Sequence, residues 1–149
     1  VTEMGVDRVV STYALMMGHP KKMISYDINP VESYGISREY LKSLGEENGI
    51  DFTFIVADTT KIEIEETDLL FIDTLHTYGQ LKQELKLHGN KAKKYLVFHD
   101  TFTFGLTGEL NKSMGLLPAI IEFMIENPHW KFKLNVVNNN GLTVLERTK

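Results

Sequence analysis

Short apolar runs alternate along this chain with stretches whose hydrophobic residues recur every three or four positions, a pattern that predicts strand and helix in strict succession. Strands are predicted over Val1–Met4, Lys22–Tyr26, Phe52–Ala57, Asp68–Ile72 and Tyr95–Phe98. Helices are predicted over Val9–Met17, which is followed by Gly18 and Pro20, and over Ser37–Glu47, with Tyr40, Leu41 and Leu44 on one face. Two more are expected at Thr77–His88, carried by Tyr78, Leu81 and Leu85, and at Met114–Ile125, closed by Asn127–Pro128. Trp130–Val137 and Leu142–Glu146 flank Asn138–Asn139–Asn140–Gly141, and Asn-Gly favours a tight hairpin because both residues tolerate positive φ. Trp130 and Phe132 are expected to pack that hairpin onto the sheet. The implied architecture is α/β: a Rossmann-like, doubly wound, mostly parallel seven-stranded sheet ending in an antiparallel hairpin.

The five parallel strands share a polar punctuation. They close at Glu3, Asp27, Asp58, Asp73 and His99–Asp100. Ligands of open α/β sheets bind beyond the carboxyl ends of the strands, so these side chains are expected to converge on one crevice. The longest irregular stretch, Thr101–Ser113, follows the fifth strand directly and carries Phe102 and Phe104, as a substrate loop at that edge would.

Composition narrows the function classes. At 149 residues the chain fits one domain with a real core, taken as residues 1–149. It opens inside a strand at Val1 with no initiator methionine, so residues upstream are expected. A net charge of −4 with scattered basic residues argues against nucleic acid as a partner. Lys91–Lys94 is read as a solvated patch at a helix end. No cysteine is present, which excludes thiolate metal sites and cysteine nucleophiles, and the default compartment is the cytoplasm. No apolar stretch reaches the ~20 residues of a membrane span. The methionines at 16, 17, 114 and 124 are expected as core filler.

Asp73 and Asp100 end neighbouring strands, within expected reach of one divalent cation, and oxygen donors of this kind suit magnesium or manganese. A nicotinamide-binding domain would want three glycines after its first strand, and only Gly5 is present.

The order of elements, with Glu3-x-Gly5, Asp27, Asp58 and Phe71–Ile72–Asp73, resembles the class I, seven-stranded S-adenosylmethionine-dependent methyltransferases. Gly5-Val6-x-Arg8-x-x-Ser11-Thr12, Asp73-x-x-His76-x-Tyr78 and His99-Asp100-Thr101 are similar, more narrowly, to a subfamily that includes macrolide sugar O-methyltransferases. The resemblance implies S-adenosylmethionine as cofactor. Gly5 would then let the backbone approach its methionyl part, Glu3 would hold the ammonium indirectly, and Ser11 would meet the carboxylate. Asp27 would accept from the ribose hydroxyls and Asp58 would bond the adenine amino group. The same resemblance makes Asp73, His99 and Asp100 metal ligands, with His99 standing where the subfamily has an acid, and makes His76 the general base. Val9 and Val10 depart from the subfamily, which often has glycine there.

The expected activity is metal-assisted O-methylation of a sugar-like or other small hydroxyl compound, with Asp73 and His76 catalytic. Phe102 and Phe104 would shape the acceptor pocket, and the terminal helix and hairpin edge would support a homodimer. Two alternatives remain open. His76 and His99 with one carboxylate would hold iron in a hydroxylase-like enzyme, or the fold would be a degenerate binding module without cofactor.

Overall fold

The computed structural model describes residues 1–110 and 112–148. The chain divides into two compact units, residues 1–62 and 63–149.

In the first unit, β1 (Thr2–Met4), β2 (Lys22–Asp27) and β3 (Asp51–Val56) lie side by side in the order β3-β2-β1. All pair in parallel, Thr2 facing Ile24 and Lys22 facing Asp51. Parallel neighbours need a crossover, and the crossovers are α1 (Val10–Met16) and α2 (Arg38–Glu47), the latter preceded by a 3-10 turn at Val31–Tyr34. Helix α2 starts where the sequence says it should, because the Ser37 hydroxyl accepts the Tyr40 amide at 3.0 Å. Val9, Met16, Met23, Leu41, Phe52 and Phe54 form one apolar cluster here.

The second unit holds β4 (Thr67–Ile72), α3 (Tyr78–His88), β5 (Ala92–His99), α4 (Leu116–Glu126), β6 (Trp130–Val136) and β7 (Leu142–Arg147), with strand order β4-β5-β7-β6. Strands β4 and β5 are parallel, whereas β7 runs antiparallel to both β5 and β6. The Asn-rich turn makes the hairpin expected of it, with Asn139, Asn140 and Gly141 all at positive φ. The core is built around Trp130, Phe98, Leu96, Leu81 and Leu145, all sealed from solvent.

Several expectations need correction. Lys93 and Lys94 belong to strand β5 rather than a helix end, and Lys91, Lys93 and Lys94 pair with Glu63, Glu66 and Asp68 at 3.2, 2.7 and 2.8 Å. Their cations are matched to acidic residues just before β4 and at its start, Asp68 being its second residue. Phe132 is 53% exposed while Trp130 is buried, and the register of β6 shifts between Phe132 and Leu134. Strand β6 is the last in the strand order and pairs on one side only, so Phe132 has less cover than a residue of an inner strand. Met16 fills core, but Met17 and Met114 are exposed. Helix α4 begins at Leu116, two residues later than predicted. No helix among the described residues is long and apolar enough to cross a membrane.

Candidate functional site

Each unit gathers its own polar cluster. In the first, the chain leaving β1 bends sharply, with Gly5 at φ 84, Asp7 at φ 43 and Val9 at φ 58. Gly5 adopts the left-handed region freely and its amide donates to the Tyr26 carbonyl at 2.8 Å. Val9 sits in the same region without that freedom. A β-branched residue there is strained, and its burial among the apolar cluster is what holds it. Position 9 thus keeps a glycine-like backbone with a valine side chain, whereas Val10 points outward, 73% exposed.

Asp27 closes β2 and ties this bend down. Its Oδ2 accepts the amides of Val6 at 2.9 Å and Asp7 at 3.2 Å, and its Oδ1 accepts the Asn29 amide at 2.8 Å. Glu3 is fully buried, and its carboxylate accepts three hydroxyls, from Ser11 at 2.7 Å, Thr12 at 2.8 Å and Ser25 at 2.6 Å. Ser11 spends its proton on Glu3, which leaves its lone pairs for other groups. Asp58 stands past the end of β3, where Oδ1 accepts the Thr60 amide and hydroxyl and Oδ2 meets Lys61 Nζ at 2.7 Å. The Lys61 ammonium and then the Thr60 hydroxyl hold its carboxyl down at about 2.

The second unit's cluster is crowded with like charge. Asp73 follows β4 directly, His99 ends β5, and Asp100 comes next in a left-handed conformation at φ 60. His76 Nε2 lies 3.0 Å from Asp73 Oδ1 and 3.1 Å from Asp100 Oδ2. On its other side, His76 Nδ1 lies 3.0 Å from Glu109 Oε2, and Phe104 stacks on the ring at 4.8 Å and 10°. Burial works to lower the pKa of His76, but hydrogen bonding to Asp73, the charge of Asp100 and the contact with Glu109 outweigh it and raise the pKa above the ordinary imidazole value. His99 Nδ1 lies 3.3 Å from Asp73 Oδ2 and 3.0 Å from Asp100 Oδ1. Close as they are, His99 Nδ1 and Asp100 Oδ1 are buried without a well-aligned hydrogen bond.

These residues fit a divalent cation. Asp73, His76 and Asp100 bring one donor atom each to within 4.8 Å of one another. The mutual repulsion of the two carboxylates and the orphaned Asp100 Oδ1 are what a cation would relieve. The group contains the two aspartates expected from the sequence with His76 as its nitrogen, while His99 Nδ1 also lies beside both carboxylates. It holds one imidazole and two carboxylates, the reverse of the two-histidine iron triad considered from the sequence. Glu109 is the functional candidate that sequence reading missed. Its signal was weak, an acid in the loop after β5, and its partner lies 33 positions away. The loop presents it by a main-chain clasp, Glu109 N–H to the His76 carbonyl at 2.9 Å. Gly108 allows this approach, since a Cβ there would meet Ser113, the Met114 carbonyl and the His76 carbonyl.

No protein-family profile matches this sequence, and neither does any curated protein. Solved structures do match. A protein of Klebsiella pneumoniae described as a candidate O-methyltransferase superposes with a TM-score of 0.69 at 15% identity, covering 99% of this chain and 72% of that one. Magnesium protoporphyrin IX methyltransferase from Synechocystis, with bound S-adenosylhomocysteine, gives a TM-score of 0.67 at 12% identity over 99% of this chain and 73% of that chain. The 1,6-didemethyltoxoflavin-N1-methyltransferase of Burkholderia thailandensis gives 0.64 at 9% identity, covering 99% and 70%. The chain therefore has the Rossmann-like fold of these enzymes, with its seven strands and C-terminal antiparallel pair.

Proposed function

We propose that this chain is an S-adenosylmethionine-dependent, divalent-metal-assisted O-methyltransferase acting on a hydroxyl of a sugar-like or other small molecule, and that residues 1–149 work as one methyltransferase domain. The observation that carries it is the likeness, over nearly the whole chain, to methyltransferases solved with S-adenosylhomocysteine bound. Fold alone does not name a reaction, so the residues of each cluster carry the rest.

In this reading the first unit holds the cofactor. Gly5 gives the methionyl part a close backbone, and Glu3 acts indirectly by fixing Ser11, whose remaining lone pairs suit an ammonium better than the carboxylate assigned to it from the sequence. Asp27 keeps acceptor capacity on Oδ1 after its three amide bonds, which suits a ribose hydroxyl. Asp58 would reach the adenine amino group only by sharing its carboxylate with Lys61 and Thr60.

The second unit works on the acceptor. Asp73 and Asp100 would hold the cation, with His76 and His99 beside them. A bound divalent cation acidifies a hydroxyl and orients it. The transfer breaks the methyl–sulfur bond and forms a methyl–oxygen bond in line, and the hydroxyl proton passes to this cluster. Alignment and exclusion of water do most of the work. Phe102, Leu106 and Leu110, all largely exposed on the loop after β5, would cover the apolar face of the acceptor.

The test is transfer of a tritiated methyl group from S-adenosylmethionine to a panel of sugars, polyols and catechols, run with manganese and again with a chelator. Label on a hydroxyl, lost with chelator, is the expected result. Transfer that ignores the chelator would remove the metal from the reading and keep the rest.

A further inference from the structure

The two nitrogens of His76 face different partners, and that asymmetry decides the chemistry of the ring. Glu109 stands at Nδ1 at 3.0 Å and its carboxylate can only accept, so the Nδ1 proton is fixed there. Nε2 faces Asp73 and Asp100, whose carboxylates also only accept, so the position there is held by a proton that a bound cation would displace. Phe104, stacked nearly parallel on the ring, prevents it from rotating away. A carboxylate on one imidazole nitrogen that leaves the other for a cation is the arrangement by which proteins orient a metal-binding histidine.

The spacing agrees. Neighbouring ligands of an octahedral cation with bonds of about 2.1 Å stand roughly 3.0 Å apart, and Nε2 lies 3.0 and 3.1 Å from the two aspartate oxygens. Asp100 Oδ1, buried and without a well-aligned hydrogen bond, is an independent sign that this carboxylate is built for a further partner.

Resting on the metal-assisted reading above, we propose that His76 Nε2 is the nitrogen ligand of a cation held with Asp73 and Asp100, and that Glu109 is its positioning residue. His76 is then a ligand rather than the proton acceptor. One imidazole among oxygens also shifts metal preference. Imidazole favours first-row transition cations, so the site selects manganese or a later divalent metal over magnesium.

The experiment is a manganese titration of the intact chain by calorimetry, with pulsed EPR to detect nitrogen coupling, repeated in a large excess of magnesium. Wild type is expected to bind manganese with one histidine nitrogen coupled and to retain it against magnesium. His76→Ala should lose both the coupling and most of the affinity, whereas His99→Ala should keep the coupling. Glu109→Ala should weaken binding by about 10–100-fold, and Glu109→Gln, whose carbonyl still accepts the Nδ1 proton, should restore it to within a few-fold of wild type. Nitrogen coupling that survives in His76→Ala, or a Glu109→Ala affinity equal to wild type, overturns the inference and leaves metal assistance standing. Failure of wild type to bind manganese overturns both, and S-adenosylhomocysteine binding by the same sample reads the methyltransferase reading separately.

Discussion

Both units bury carboxylates, yet they treat them in opposite ways. Glu3 and Asp27 are each satisfied by three donors from their own chain, hydroxyls for one and main-chain amides for the other. Asp73, Asp100 and Glu109 instead crowd the His76 imidazole, with His99 beside the two aspartates, and one buried oxygen of Asp100 has no aligned donor. A buried charge with its hydrogen bonds complete holds structure together, and one without them waits for a partner. The first cluster is thus finished scaffolding around the bend after β1, and the second is left with acceptors in excess, which in the proposed reading a cation would meet.

Removing a carboxylate from each side should have opposite consequences. Glu3→Ala strands the buried hydroxyls of Thr12 and Ser25 and frees the half-buried one of Ser11, and should cost about 3 kcal/mol, read as a lower urea midpoint. Equal stability of that variant would break the contrast. Asp100→Asn should do the reverse, lowering manganese affinity by at least about 100-fold, since a lost ligand exceeds the ~10–100-fold of an outer-shell partner. Its stability in chelator should hold or rise, because a like charge is gone and asparagine tolerates the left-handed backbone at φ 60. A clear fall in chelator stability would make Asp100 structural.

Smaller effects sharpen the account of the bend after β1. At Val9 the usual ranking should invert, with Val9→Gly more stable than Val9→Ala by about 0.5–1 kcal/mol, because glycine releases the strain at φ 58 while both lose the buried methyls. Thermal melts of the two variants check this. The smallest effect belongs to Asp58. Its folded pKa, about 2, lies below the ordinary carboxylate value, so its contribution to stability is present above the unfolded pKa and is lost as pH falls toward 2. The group is half-buried but its partner Lys61 is exposed, and salt should erase much of that contribution. An NMR titration should find the Asp58 midpoint moving up toward the ordinary value in Lys61→Met.

How much of this the sequence could reveal follows from what each feature depends on. Strands and helices were legible because their apolar spacing is local, and Ser37 and Thr77 cap α2 and α3 where hydroxyl residues precede an apolar run. The acids at the strand ends were legible for the same reason. What they bond to was not: that Glu3 gathers Ser11, Thr12 and Ser25, or that Glu109 reaches His76, depends on contacts from distant parts of the chain. That His76 joins the two aspartates as a donor has the same origin. Both histidines sit beside the right aspartates in sequence and both reach the two carboxylates in space, but only His76 is also met by Glu109 from the loop after β5. Lys93 and Lys94 were misplaced because a strand beginning in lysines looks like a helix ending in them.

The most direct test of methyl transfer is calorimetric titration with S-adenosylhomocysteine, with and without manganese, for wild type, Asp27→Ala and Asp73→Asn, each checked for folding by circular dichroism. Micromolar binding that is lost in folded Asp27→Ala and kept in Asp73→Asn is the predicted result, with manganese binding lost only in the second. No binding by wild type under any condition would contradict the account and leave a methyltransferase fold put to another use.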